Sequence, residues 1–184
     1  MPPTPLLPPP HLTLVLGGAR SGKSAYAEAL IEARPGPWLY LATAQAFDDE
    51  MRQRIALHRA RRAEGWRTLD VPFDLPEAVA ASRGPVLVDC LTLWLTNLIL
   101  AGRDVAAAAD ALAAACDAAP GPVVLVANEV GLGIVPDNAL ARRFRDEAGR
   151  LHQRLARAAD RVVLTVAGLP LTVKPSADTK GAPA

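Results

Sequence analysis

Cysteine and aromatic residues are scarce in this chain: 2 Cys and 4% Phe, Trp and Tyr among 184 residues. The two thiols, Cys90 and Cys116, both sit in apolar stretches. They give no disulfide framework and suit a reducing cytoplasm. Net charge is nearly absent as well, at +1, so no global field draws the chain to nucleic acid or to a membrane surface. No apolar run is long enough to span a bilayer. The longest, around Leu91 to Ala101, carries Thr92, Thr96 and Asn97. The N-terminal stretch from Met1 to Pro10 lacks the basic flank of a signal peptide, and prolines break it. Residues 1–11 therefore read as a mobile, polyproline-biased tail, and residues 175–184 as a second tail. Residues 12–174 remain as one domain. The composition, 51% apolar and 21% charged, is that of an ordinary globular protein with a buried core.

Within that domain strand and helix signals alternate. Short runs rich in Val and Leu, at Leu12–Leu16, Trp38–Ala42, Pro85–Asp89, Pro122–Ala127 and Arg161–Val166, show little polar alternation. Such runs fit strands covered on both faces, hence a mostly parallel sheet. Trp66–Val71 is a further short strand, and Leu171–Lys174 is expected beside the Arg161 strand, after a turn at Gly168–Pro170. Helical patterns fall at Ala25–Ala33, Asp48 to about Glu64, Leu75–Ser82, Leu91–Ala101, Asp104–Ala118 and Asn138–Asp160. The last is amphipathic, with Arg143/Glu147 and Asp146/Arg150 spaced to pair. The expected fold is α/β: a three-layer α/β/α sandwich of P-loop NTPase type, with ligands at the carboxyl ends of the strands.

The segment Gly17-Gly18-Ala19-Arg20-Ser21-Gly22-Lys23-Ser24 fits G-x-x-x-x-G-K-[ST]. It lies between an apolar strand and a helix, the setting this motif requires. Its glycines let backbone N–H groups close around phosphate oxygens, and the helix N-terminus adds partial positive charge. Lys23 would reach the β- and γ-phosphates, and the Ser24 hydroxyl would sit on Mg²⁺. Asp89, at the end of its strand, suits the metal or its water shell, and equally suits the N-cap of the Leu91 helix; the two roles can coexist. Arg54, His58 and Arg62 share one helix face. A histidine among arginines can attack phosphorus, because the cations neutralise a triphosphate and hold the imidazole unprotonated. Spacing alone leaves His58 open between that role and a structural one. Asn128–Pro136 and Thr43–Gln45 follow strands at the same sheet edge, as ligand-facing loops or as plain connections with Asp137 or Asn138 capping the next helix.

Taken together, several of these segments resemble one family. They are the phosphate loop, Tyr40-Leu41-Ala42-Thr43-Ala44, Asp48-Asp49-Glu50-Met51 with His58, Asp89-Cys90-Leu91-Thr92, and Asn128-Glu129-Val130-Gly131-Leu132-Gly133-Ile134-Val135-Pro136. The chain is similar, over about residues 12–174, to the bifunctional adenosylcobinamide kinase/adenosylcobinamide-phosphate guanylyltransferases of cobalamin biosynthesis. The resemblance implies phosphorylation of adenosylcobinamide by ATP or GTP, then transfer of GMP from GTP to adenosylcobinamide phosphate. It implies a guanylyl-histidine at His58. It places nucleotide contacts on Gly17–Ser24, Ala42, Thr43, Ala44, Arg59, Ala60, Arg61, Arg62, Asp70 and Asp89, and it implies a homotrimer. The family commonly has Glu at the positions of Asp70 and Asp89, some relatives have a glycine within 59–62, and Asn is usual where this chain has His152. Two other readings compete: a P-loop kinase of another small alcohol with His58 merely structural, and a nucleotide-dependent switch.

Overall fold

The computed structural model describes residues 10–45 and 64–176. Among them, seven strands form one sheet: β1 (Leu12–Gly17), β2 (Trp38–Ala42), β3 (Trp66–Asp70), β4 (Val86–Asp89), β5 (Val123–Asn128), β6 (Arg161–Val166) and β7 (Leu169–Lys174). Their order is β3-β2-β4-β5-β1-β6-β7. All pair in parallel except β7, which returns antiparallel to β6. The helices are α1 (Lys23–Glu32), α2 (Leu75–Ala80), α3 (Leu91–Leu100), α4 (Val105–Ala118) and α5 (Ala139–Ala158). The expected α/β/α sandwich is present.

The absence of polar alternation in the central strands has a plain cause: both faces of the sheet are covered. Leu14, Leu41, Val86, Val88 and Leu125 face a large core completed by α2 to α5, with Trp94 and Leu112 wholly buried. Val15, Tyr40, Leu87, Val124 and Val126 face a smaller core under α1, against Ala27 and Ile31. Burial of each such aliphatic side chain is worth about 1.5–3 kcal/mol, so the sheet is fixed from two sides.

Several local expectations change. The β6–β7 turn is shorter than Gly168–Pro170: Ala167 and Gly168 make it, both with positive φ, while Leu169 and Pro170 already belong to β7. An edge strand accepts a proline where its missing N–H would face solvent. On α5, Arg150 pairs with Glu147 at 2.8 Å and Arg145 with its neighbour Asp146 at 3.3 Å, not Arg143 with Glu147 or Asp146 with Arg150. The α2 helix stops at Ala80 rather than Ser82. Asn138, not Asp137, caps α5, accepting the Ala141 N–H at 2.8 Å. The helix expected from Asp48 to about Glu64, with His58 and Arg59–Arg62, lies outside the described residues apart from Glu64, which is in a turn. Both cysteines are buried free thiols.

Candidate active site

Strand register builds the site. Gly17 at the end of β1 stands level with Asn128 of β5 and Thr165 of β6. Farther along the sheet, Ala42 of β2 stands level with Asp70 of β3 and Asp89 of β4. All six lie at the carboxyl edge of the parallel strands, the edge where open α/β sheets bind ligands.

The phosphate loop crosses this edge from β1 to α1. A Cβ on Gly17 would lie 2.3 Å from Thr165 Oγ1 and 2.4 Å from Ser21 Oγ, so only glycine fits there. Gly22 has φ +93°, a conformation side chains disfavour, and it leads directly into α1. No side chain caps that helix, so its first N–H groups face the loop as anion donors. Lys23 is buried, and its Nζ donates to the Gly18 carbonyl at 3.1 Å, folding the ammonium back over its own loop. The loop opens on a cleft of about 650 Å³ whose other walls include Glu129, Val130, Val166 and Ala167.

At the α1 end of the loop two hydroxyls converge on one oxygen. Ser24 Oγ donates to Asp89 Oδ2 at 3.4 Å, and Tyr40 OH donates to the same atom at 2.6 Å. The residue before α3 is Cys90, with no side-chain capping bond. Asp89 therefore does not cap that helix; its carboxylate is turned toward Ser24. Behind it lies a buried polar network. Thr43 Oγ1 accepts the Cys90 N–H at 2.9 Å and donates to the Cys90 carbonyl at 2.7 Å, while the Thr43 N–H donates to the Asp89 carbonyl at 3.1 Å. Asn97 Nδ2 reaches the carbonyls of Thr43 and Pro72, both at 2.9 Å. Asn128 Nδ2 donates to Thr92 Oγ1 at 3.2 Å, and that hydroxyl lies 2.7 Å from Cys90 Sγ. Burial pushes the Cys90 thiol above its usual range and the Asp89 charge adds to this, so it stays a neutral packing group.

Of the residues singled out in the sequence, the structure brings Lys23, Ser24 and Asp89 to one place. Thr43 is beside them but wholly buried, its hydroxyl spent on Cys90. Asp70 is exposed at the same edge, one strand beyond Ala42. The Asn128–Pro136 loop begins inside the site, where the Glu129 N–H donates to the Gly17 carbonyl at 2.9 Å. It then runs outward, leaving Leu132, Ile134 and Val135 exposed. Sequence reasoning assigned no role in the site to Tyr40, Thr92, Asn97 or Thr165. The available signal was a polar group inside an otherwise apolar strand or helix, which has to find a partner there.

Among solved structures, flagellar accessory protein FlaH from Methanocaldococcus jannaschii matches with a TM-score of 0.51 and 13% identity, over 91% of this chain and 80% of that one. This is a likeness of fold. Sequence relatives are much nearer. The chain is 50% identical over 166 residues to the bifunctional adenosylcobalamin biosynthesis protein CobP of Pseudomonas aeruginosa, covering 88% of this chain and 96% of that protein. It is 48% identical over 181 residues to the bifunctional adenosylcobalamin biosynthesis protein CobU of Salmonella typhimurium, covering 89% and 99%. The family model described as cobinamide kinase/cobinamide phosphate guanyltransferase matches residues 13–173. The chain belongs to the cobinamide kinase/cobinamide phosphate guanyltransferase family.

Proposed function

We propose that the phosphate loop serves two reactions in turn. In the first, the hydroxyl of adenosylcobinamide attacks the γ-phosphorus of ATP or GTP; a new P–O bond forms, the P–O bond to the nucleoside diphosphate breaks, and the hydroxyl proton is released. In the second, a nitrogen of His58 attacks the α-phosphorus of GTP, a P–N bond forms and the P–O bond to pyrophosphate breaks. A phosphate oxygen of adenosylcobinamide phosphate then displaces the histidine, giving adenosylcobinamide-GDP. The covalent intermediate splits one difficult displacement into two. The convergence of Lys23, Ser24 and Asp89 at the mouth of α1, in a chain of this family, carries the reading.

In this reading the loop N–H groups and Lys23 hold the β- and γ-phosphates. Ser24 and Asp89 would hold Mg²⁺. One hydroxyl and one carboxylate form the sparse donor set this ion uses when phosphate oxygens and water complete its shell. Among the described residues no cluster of three or more His, Cys, Asp or Glu offers a fuller protein cage. When bound, the ion would neutralise charge on the triphosphate. Ala42, Thr43, Ala44, Arg59, Ala60, Arg61, Arg62 and Asp70 complete the nucleotide's surroundings, Thr43 through its backbone. The homotrimer that the family resemblance implies belongs to the same reading, and the exposed Leu132, Ile134 and Val135 are apolar groups that a neighbouring copy would cover. Two buried free thiols support a cytoplasmic location.

The deciding experiment uses GTP labelled at the α-phosphate, with Mg²⁺. The wild-type protein should take up an acid-labile, base-stable label, and His58→Ala should take up none. An unlabelled wild type rules out guanylyl transfer and leaves the simple kinase. In parallel, Lys23→Ala should abolish phosphate transfer to adenosylcobinamide; an unchanged rate would remove the phosphate-loop assignment.

A further inference from the structure

We infer that Thr165 of β6 is a positioning residue for the phosphate loop, acting through Ser21. A hydroxyl has one proton. Thr165 Oγ1 lies 3.0 Å from the Leu16 carbonyl, which can only accept, so the Thr165 proton goes there. Its second contact, to Ser21 Oγ at 2.9 Å, must then be an accepted bond, and the Ser21 proton is spent on Thr165. Ser21 therefore faces the sheet rather than the nucleotide, and the loop meets an anion with its backbone.

The same hairpin holds the loop at two further points. The Gly168 N–H donates to the Ser21 carbonyl at 2.9 Å. A Cβ on Gly22 would come 3.1 Å from Gly168 Cα, so the loop and the β6–β7 turn are in backbone contact. Gly17 completes the clamp, since any side chain there would occupy the space of both hydroxyls. Three loop residues are thus held by a hairpin more than a hundred residues later in the chain. Thr165 is 1% exposed. It lies in the wall of the cleft with its hydroxyl engaged by Leu16 and Ser21, and it acts by keeping the loop N–H groups convergent before the phosphates arrive. Preorganisation of this kind strengthens binding by removing the cost of ordering the loop.

The inference rests on the loop being the phosphate cradle. Thr165→Val keeps the side-chain shape and removes both bonds. Binding should be measured with inorganic tripolyphosphate and with MgATP, and turnover with adenosylcobinamide as acceptor. The expected result is a loss of about tenfold in tripolyphosphate affinity and a rise of about tenfold in the KM for ATP, with kcat changed less than about threefold. Thr165→Ser should restore wild-type values. Ser21→Ala should reproduce the loss, and the Ser21→Ala/Thr165→Val double variant should be no worse than either single variant, the signature of one shared interaction. Unchanged tripolyphosphate affinity in folded Thr165→Val overturns the inference. So does additivity in the double variant, or failure of Thr165→Ser to rescue. Should Thr165→Val not fold, Ser21→Ala, on the partly exposed loop, carries the same test. Lys23→Ala separates the two levels. If it loses tripolyphosphate while Thr165→Val does not, only the role of Thr165 falls. If neither loses it, the phosphate-loop reading itself falls.

Discussion

Asp89 Oδ2 is shared by two donors of different rank. The Tyr40 bond at 2.6 Å is short and the Ser24 bond at 3.4 Å is long. The short bond fixes the carboxylate, while the long one would be readily given up if Ser24 took the proposed metal. Tyr40→Phe should therefore raise the Mg²⁺ concentration needed for half-maximal kinase activity by about tenfold and leave folding intact. A variant with unchanged Mg²⁺ dependence would show that Asp89 is held by its backbone alone. At this scale the sequence was legible in placement where a motif sets it, as with Lys23 and Ser24 at the start of α1. It was opaque where a residue acts through register. Tyr40 and Thr165 sit in runs that read as apolar strands, and only the alignment of β2 with β4, and of β1 with β6, gives each hydroxyl its partner.

Helix α3 shows how an element can be read correctly and still be incompletely understood. Its Leu and Trp content reads as a buried helix, and it is one. The sequence alone assigns Thr92 and Asn97 no role in the site, yet both are buried and tie the helix to it. Asn97→Leu should strand the carbonyls of Thr43 and Pro72 in a dry setting. A loss of about 2–4 kcal/mol is expected, read from the urea midpoint, together with weaker nucleotide binding as the Thr43–Cys90 connection loosens. A midpoint within error of wild type would mean that water replaces the amide. The strands were legible because burial on both faces suppresses alternation. The start of β7 was not, because proline and glycine together suggest a longer turn than the two residues that suffice.

On the scale of the whole molecule, stability should depend on pH through His152 of α5. Its Nε2 is buried and finds no hydrogen-bond partner among the described residues. Burial lowers its pKa below 6.5, and the Glu129 carboxylate opposes this only in part. The unfolded chain thus binds a proton more readily than the folded one. The stability contributed by the neutral imidazole is complete above about pH 6.5 and falls as the pH drops toward the folded value, by at most about 1.4 kcal/mol per unit. Urea titrations at pH 7.5 and 5.5 should show this loss in wild type and a smaller one in His152→Asn; equal losses would place the titrating group elsewhere. The antiparallel return of β7 has a further consequence. Because β7 runs back along β6, Lys174 finishes at the amino edge of the parallel strands, where its Nζ reaches the carbonyls of Ala156, Arg157 and Ala159. Leu12 starts at that same edge. An affinity handle or surface linker joined at either side of the domain would leave it on the side away from the phosphate loop. Immobilised this way, the enzyme would present its nucleotide cleft outward to substrate.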